Sequence, residues 1–461
     1  MQWRVTVELA GANGGVQTHE VHVGNCPSIA CSAETLGLTL AEAKQVLAEL
    51  QRHLVQAQTE EHCQSRRRCP RCGAQRPLKD RRHRRLRSLF GVVEVRAPRF
   101  APCRCSMTLH EVLSPVAEIM PDRCTPAYER LLAEMGALLP YRRGRALLEK
   151  LLPLGEPPVL ETVRQRTLQV GARLECQAAA PPRSTPAAEA KSITLSIDGG
   201  HVQSIRSYQV RSFEVFIAQA SNDDGKRVVF TSVPAEAYHQ VQQLRGVLHD
   251  LGATAATPVT ILSDGAGGPR ALGETASAGP TRHVLDWFHL SMQIQHVAQT
   301  VKGWPDDTGD NRREGTRLAN VVDQHIRWRL WHGQVQRALD LIGDTLEPLE
   351  KASTVASPIG AAAGRVAEAL RGLETYVVGQ SALIIDYATA RRCGEPISTA
   401  ITESTVQWLL HRRMNASQQM RWSPRGAHLM LKVRTSVMNG TFDQDHANAE
   451  WRAKRPFRQV A

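Results

Sequence analysis

A chain of 461 residues, 42% of them hydrophobic and carrying a formal net charge of +12, is long enough for roughly two to four domains with cores of their own. It holds no run of about 18 apolar residues, and its opening MQWRVTVELAG lacks a basic stretch leading into an apolar one, so neither a membrane span nor a signal peptide is expected. Ten cysteines are too sparse for a disulfide scaffold in such a length, and in the cytoplasmic setting this implies they stay reduced and open to a metal.

The first strand-like stretch alternates apolar and polar residues, and Leu38 to Glu61 has helical periodicity with its charges on the other face. Residues 1–62 therefore predict a strand and a helix, with no chemistry attached. The basicity then arrives at once. From Cys63 to Cys105 stand fourteen Lys/Arg against two acids, Asp80 and Glu94, an excess equal to the net charge of the whole chain. Residues 63–112 read as a basic zinc-ribbon-like module: Cys69, Cys72, Cys103 and Cys105 are the candidate zinc ligands, with a hairpin between them turning at Phe90-Gly91. The CPRCG knuckle is a strong signal. The C-x-C pair is tighter than usual, which leaves His62, Cys63, His83 and His110 open as substitutes. Arg81, Arg82, Arg84, Arg85 and Arg87 repel one another unless an anion neutralises them, which points to a nucleic-acid backbone more than to a solvated hairpin face.

Residues 122–176 predict three short helices, Thr125 to Ala137, Arg145 to Leu152 and Pro158 to Leu174, broken by Pro140, Gly144 and LGEPP. The third follows a turn and carries Arg164, Arg166 and Thr167, a helix-turn-helix-like arrangement for reading DNA. The Ala/Pro/Ser-rich residues 177–191 are a linker. From 192 to 440 the pattern is α/β: SITLSID, RSYQVRSFEVFIAQA, KRVVFTSV, a helix from Tyr238 to Leu251, TPVTILSD and TRHVLD give a β-β-β-α-β-(α)-β order and a mixed sheet. Helices fill Trp287 to Ala390, and another spans Thr402 to Met414.

Asp198 ends SITLSID and Asp264 ends TPVTILSD, each followed by Gly, where ligands of open α/β sheets gather. Two adjacent carboxylates stay ionised cheaply only around a cation, and Mg²⁺ or Mn²⁺ suits such oxygens. Glu403, at the head of ESTVQWLLHRRM, is the third acid, with Gln407 and His411 one and two turns on. Taken singly, the aspartates read more readily as turn formers and the glutamate as a residue favoured by a helix dipole; their joint placement on two strand ends and a helix, downstream of a basic module, is what argues for function.

The order SIDGG, ILSDGAGG, LDWFHL and ITESTVQWLLHRRMNASQQMRWSPRGAHLMLKVRTSVMNG resembles the DD(E) transposases of bacterial insertion sequences, most closely the ISKra-type group, from about Cys69 to the C-terminus. The resemblance implies a ribonuclease-H-like mixed-sheet catalytic domain at 192–440 with a helical insertion at about 290–395, followed by a tail at 441–461. It implies Asp198, Asp264 and Glu403 as the catalytic acids, holding two Mg²⁺ or Mn²⁺ ions for strand cleavage and strand transfer. Asp286 and His289 match an Asp-x-x-His element in a supporting or DNA-positioning role; the other reading is an N-cap Asp with a bonded histidine. Trp422, beside Arg421 and Arg425, stacks on an unpaired base or sits in the core. The implied partners are double-stranded DNA, both terminal inverted repeats and target, and a second protomer, in a nucleoid-associated bacterial protein. A transposase-derived regulator without catalysis and a ribonuclease-H-like nuclease are the alternatives.

Overall fold

The computed structural model describes residues 2–11, 14–25, 37–105, 112–178, 189–236, 239–399, 404–414 and 420–449. The chain forms two compact units, Met1–Leu174 with Phe442–Ala461, and Glu175–Thr441.

In the first unit, β1 (Gln2–Ala10) and β2 (Val16–Asn25) pair antiparallel. Helix α1 (Leu40–Arg67) starts at a capping box, Thr39 accepting from the Glu42 amide while Glu42 accepts from Thr39. A second hairpin joins β3 (Leu78–Ser88) to β4 (Gly91–Phe100) through Leu89-Phe90. Its alternation buries Val93, Val95 and Ala97 against Val55 and Cys63 of α1 and Val116 of the short α2 (Pro115–Ile119). Because α1 runs unbroken through positions 62 and 63, the boundary expected there falls inside a helix, and the opening segment shares a core with the basic hairpin. Cys63 is buried in that core, well away from a ligand role.

Three helices follow: α3 (Pro126–Leu138), α4 (Tyr141–Leu151) and α5 (Leu160–Ala178). Cys124, Tyr128, Leu132, Leu148, Leu154 and Val163 form their core. Gly144 does not break a helix as expected but lies inside α4, where a Cβ would come 3.1 Å from the Met135 carbonyl oxygen.

The second unit is built on a five-stranded mixed sheet in the order β7-β6-β5-β8-β9. β5 (Ile193–Gln203), β6 (Ser212–Asn222) and β7 (Arg227–Ser232) form an antiparallel meander. Helix α6 (Gln240–Asp250) leads to β8 (Val259–Ser263), and α7 (Gly267–Ala276) to β9 (Thr281–Leu285), both strands parallel to β5. The β-β-β-α-β-α-β order read from periodicity is thus present. Ile193, Leu195 and Ile197 of β5 face a core shared with α6 and α7. The next strands' Leu262, Val284 and Leu285 join a second core of helices: α8 (Trp287–Val301), α9 (Gly309–Asn320), a π-helical segment Val321–Ile326, α10 (Arg327–Trp331), α11 (Val335–Ser353), α12 (Pro358–Gly379) and α13 (Tyr387–Arg392).

The helix expected at Thr402 to Met414 is, from Gln407 to His411, π-helical. It is followed by α14 (Pro424–Met438), which packs on β7. The last described helix, α15 (Phe442–Asn448), belongs to the first unit. Among the described residues, no helix is long and apolar enough to cross a membrane.

Candidate active site and metal centre

β5 and β8 pair in parallel register up to Ser196 and Leu262. Two residues further on in each case come Asp198, still within β5 and on the face opposite Ile197, and Asp264, just past the end of β8. Asp198 is not a strand end as expected. β5 continues through Gly199 and Gly200 to Gln203, held by β6, because the next residues need no turn. What the Gly200 position supplies is clearance: a Cβ there would fall 2.3 Å from Cδ1 of Leu410. Asp264 does leave its strand. Its Oδ1 accepts from the Ala266 amide at 2.9 Å, and Gly265 follows at φ +94°, a conformation that favours glycine. That turn is held from α12 and its end: Tyr376 donates its hydroxyl to the Asp264 carbonyl at 2.8 Å, and Gln380 donates to the Gly265 carbonyl at 3.3 Å. Burial pushes the Tyr376 hydroxyl upward in pKa, with Asp264 and Asp286 adding to it, so it stays a donor.

His289 joins the cluster, its Nε2 3.9 Å from Asp198 Oδ1 and 3.7 Å from Asp286 Oδ2. Asp286 is fully buried. Its Oδ1 accepts from the amides of Phe288 at 2.9 Å, capping α8, and of Thr399 at 3.0 Å, and its Oδ2 accepts the Thr399 hydroxyl. Tyr387 donates to the Leu285 carbonyl at 2.9 Å just before it. Sequence reading missed Thr399, Tyr376 and Tyr387, which lie 90 or more residues from the turns they hold and carry no local signal.

Glu403 lies outside the described residues, as does His110. Just after Glu403, Thr405 donates to Gln219 of β6 at 3.1 Å, Gln407 is exposed and His411 half-buried. Two neighbouring expectations change. Trp422 is 6% exposed, with the Arg413 guanidinium 5.3 Å from its ring centroid, so its face is covered by a cation and not offered to a base. Arg425 is committed to a bidentate pair with Glu175 at 2.9 and 2.6 Å, and His428, fully buried, places Nε2 2.9 Å from the same carboxylate. These partners hold the Glu175 carboxyl at about 2 against its burial.

In the first unit the four expected cysteine sulfurs converge, Cys69 to Cys105 at 3.5 Å, Cys72 to Cys103 at 3.3 Å and Cys103 to Cys105 at 3.5 Å, with no disulfide. A tetrahedral zinc with Zn–S of about 2.3 Å sets its sulfurs about 3.8 Å apart, so the set fits. The amides of Arg71 and Cys72 pull the Cys69 thiol down to about 6, towards the thiolate a metal needs.

Asp122, Cys124 and Glu129 form a second close group. Their charges are already matched: Arg166 grips Asp122 and lies 3.3 Å from Glu129, which is 1% exposed and also meets Arg173 and His446. Burial pushes the Cys124 thiol up to about 12. This is an ion-paired core and not a metal site. It also corrects the expectation for the third helix, since Arg166 faces inward and Thr167 is fully buried, while Arg164 pairs with Glu161 along the surface. On the hairpin, Arg84 donates to the Met120 carbonyl at 3.1 Å, and Arg85 and Arg87 lie against Glu156. Arg81 and Arg82 are exposed and make no hydrogen bond or ion pair among the described residues.

The second unit is a mixed α/β structure with Asp198 on its central strand, Asp264 just past the end of the neighbouring β8, and many helices beside them. No protein-family model matches the chain, and no curated protein matches it. Among solved structures, a "Drosophila P element transposase strand transfer complex" is similar at 12% identity, over 69% of this chain and 80% of that one, with a TM-score of 0.23. A likeness this loose defines neither fold nor chemistry.

Proposed function

We propose that the chain is a DNA transposase of the DD(E) kind, binding element ends and carrying out metal-dependent strand cleavage and strand transfer from a ribonuclease-H-like unit. The observation that supports this most is the parallel register of β5 and β8, which pair up to Ser196 and Leu262, each two residues before an aspartate, Asp198 and Asp264. In this reading they and Glu403 would hold Mg²⁺ or Mn²⁺, which when bound would activate the attacking water in cleavage or DNA 3′-hydroxyl in transfer and stabilise the leaving oxygen at phosphorus. The turn clamp from Tyr376 and Gln380 fixes Asp264, while the Asp286–Thr399 clamp fixes the start of α8 and so the His289 ring between Asp286 and Asp198. His289 positions Asp198 and offers a proton donor to phosphate oxygens. The Cys69, Cys72, Cys103 and Cys105 set holds a structural zinc, since four protein ligands leave no open position. The basic hairpin meets double-stranded DNA, terminal repeats and target alike, with one protomer at each element end.

The test is a joining assay with full-length protein, labelled element-end DNA, plasmid target and Mg²⁺ or Mn²⁺, beside Asp198→Ala, Asp264→Ala and Glu403→Ala. Joined products that each substitution removes, with end binding kept, are expected. Cleavage without joining would replace the transposase by a nuclease, and binding with neither step under either metal would replace it by a regulator.

A further inference from the structure

The β3–β4 hairpin has two faces, and they are not equivalent. Residues paired across it point the same way. Asp80, Arg82, Arg84 and Leu86 therefore share the inner face with Arg99, Ala97, Val95 and Val93, towards α1 and α2. The outer face carries Arg81, His83, Arg85 and Arg87 opposite Pro98, Arg96, Glu94 and Val92. Charge is distributed unevenly along that outer face. Towards the turn, Arg85 lies between Glu94 and Glu156, and Arg87 also meets Glu156, so these two guanidiniums are largely matched within the unit. Towards the cysteine end, Arg81 and Arg96 are exposed and make no hydrogen bond or ion pair among the described residues, and His83 beside Arg96 is exposed too. Because His83 pairs with Arg96, Arg81 and Arg96 are diagonal neighbours, about 7–8 Å apart across the ribbon.

Two unmatched arginines at neighbouring positions of one face, on a ribbon whose other face is covered along Val93, Val95 and Ala97 and leaves Arg82 exposed, suit a polyanion with closely spaced charges. A two-stranded ribbon enters the major groove of B-form DNA, about 12 Å wide, whereas the major groove of an A-form RNA duplex is too deep and narrow for it. Resting on the DNA-binding reading above, we propose that the hairpin docks on double-stranded DNA through the cysteine end of its outer face. Arg81 and Arg96 contact phosphates there, while Arg84, Arg85 and Arg87 hold the fold. Arg96 stands apart from the Arg81 to Arg87 run, on the second strand of the hairpin between Glu94 and Arg99.

The experiment measures binding of full-length protein to a fluorescein-labelled duplex of mixed sequence by anisotropy across a salt series. It compares wild type with Arg81→Gln/Arg96→Gln and Arg85→Gln/Arg87→Gln, with melting temperature and zinc content as folding controls. Each lost phosphate contact lowers the slope of log K against log[salt] by about 0.9, so the first pair should lower it by about 1.8, and the affinity lost between about 50 and 200 mM salt should shrink about twelve-fold. The second pair should leave the slope unchanged, and Arg81→Lys/Arg96→Lys should restore it. An unchanged slope in Arg81→Gln/Arg96→Gln alongside normal wild-type binding would overturn the face assignment alone, as would an equal fall in both pairs. Tighter binding to a duplex RNA than to DNA would overturn the choice of partner. Failure of the wild type to bind any duplex would remove the DNA-binding reading itself.

Discussion

Asp286 distinguishes a clamp from a catalyst, and substitutions separate the two quantitatively. Its carboxylate is fully buried and receives three donors: the Phe288 amide, the Thr399 amide and the Thr399 hydroxyl. Asp286→Ala removes the cap of α8, at about 1 kcal/mol. It also strands the Thr399 amide and hydroxyl, on a residue 3% exposed, at about 1–3 kcal/mol each. The sum is about 3–7 kcal/mol. Asp286→Asn keeps an acceptor for both amides, and its new NH₂ faces a hydroxyl that can turn to accept. The loss is the charge assistance, about 1–2 kcal/mol. In a unit of this size each kcal/mol lowers Tm by about 2–4 °C, so Asp286→Asn should melt about 2–8 °C below wild type, and Asp286→Ala at least twice as far or fail to fold. Joining by Asp286→Asn, assayed well below its Tm, should be reduced but present, because the His289 ring is less firmly held. Asp198→Asn should instead abolish joining with a Tm near wild type. An Asp286→Asn protein that melts like wild type yet joins no DNA would refute this reasoning, since its carboxylate would then be acting on the reacting groups.

The other perturbations address parts of both units. Purified protein should carry one zinc per chain by elemental analysis, and chelation or Cys72→Ser should remove it together with duplex binding; full binding by zinc-free protein would count against the four-cysteine centre. Arg166→Met leaves Asp122 and the buried Glu129 short of a cation, at a cost of about 3–5 kcal/mol in urea unfolding, without changing the salt slope of DNA binding where the protein is folded. The Glu175 carboxyl, held at about 2 against an ordinary 4.5, contributes stability that is fully present above pH 4.5 and lost as pH falls towards 2. The Tm gap between wild type and Glu175→Gln should therefore be widest near neutrality, corresponding to at most about 3 kcal/mol, and close across that window. A gap independent of pH would exclude the carboxylate. Gly200→Ala should cost about 1–3 kcal/mol through its collision with Leu410, and Leu410→Ala should be less damaging in that background than alone; additive losses would mean that the two do not meet.

What could be read in the sequence was what periodicity and local spacing encode. The strand and helix order of the sheet unit, the hairpin and the close pairs Cys69/Cys72 and Cys103/Cys105 depend on neighbours a few residues away, and the hairpin brings the two pairs together across 31 and 36 residues. Asp198-Gly199-Gly200 read as a strand ending, because paired glycines ordinarily mark turns. The reason they do not is Leu410, 210 residues later in the chain, which needs the space. Arg166 looked like a reading-helix arginine because its partners, Asp122 and Glu129, stand 44 and 37 residues upstream. Charge density marked Arg81 to Arg87 as one group, yet only strand register separates the guanidiniums matched by Glu94 and Glu156 from those left open.

The block HRRM…QMRWSPRGAHLMLKVRT is dense in basic residues, which invite a reading as a DNA surface. In the structure half of them are buried, while Arg412 and Arg421 are exposed and His411 and Arg425 half-buried. Arg413 and Arg434 are each 2% exposed and Lys432 9%. Lys432 donates to the Thr231 carbonyl at 2.9 Å and to Gln243 at 2.7 Å. Arg434 donates to the Trp408 and Leu409 carbonyls, 4.4 Å from the Trp408 ring centroid, so it closes the π-helical turn whose next residue, Leu410, lies over Gly200. A buried cation is costly unless its donors are matched, and a substitution that strands its partners costs several kcal/mol. Such positions tolerate little change whether or not they touch substrate. The buried cations of this block therefore belong to the scaffold beside Asp198, and Arg434→Met should lower Tm before it lowers joining. Loss of joining at unchanged Tm would show instead that this guanidinium acts at the site.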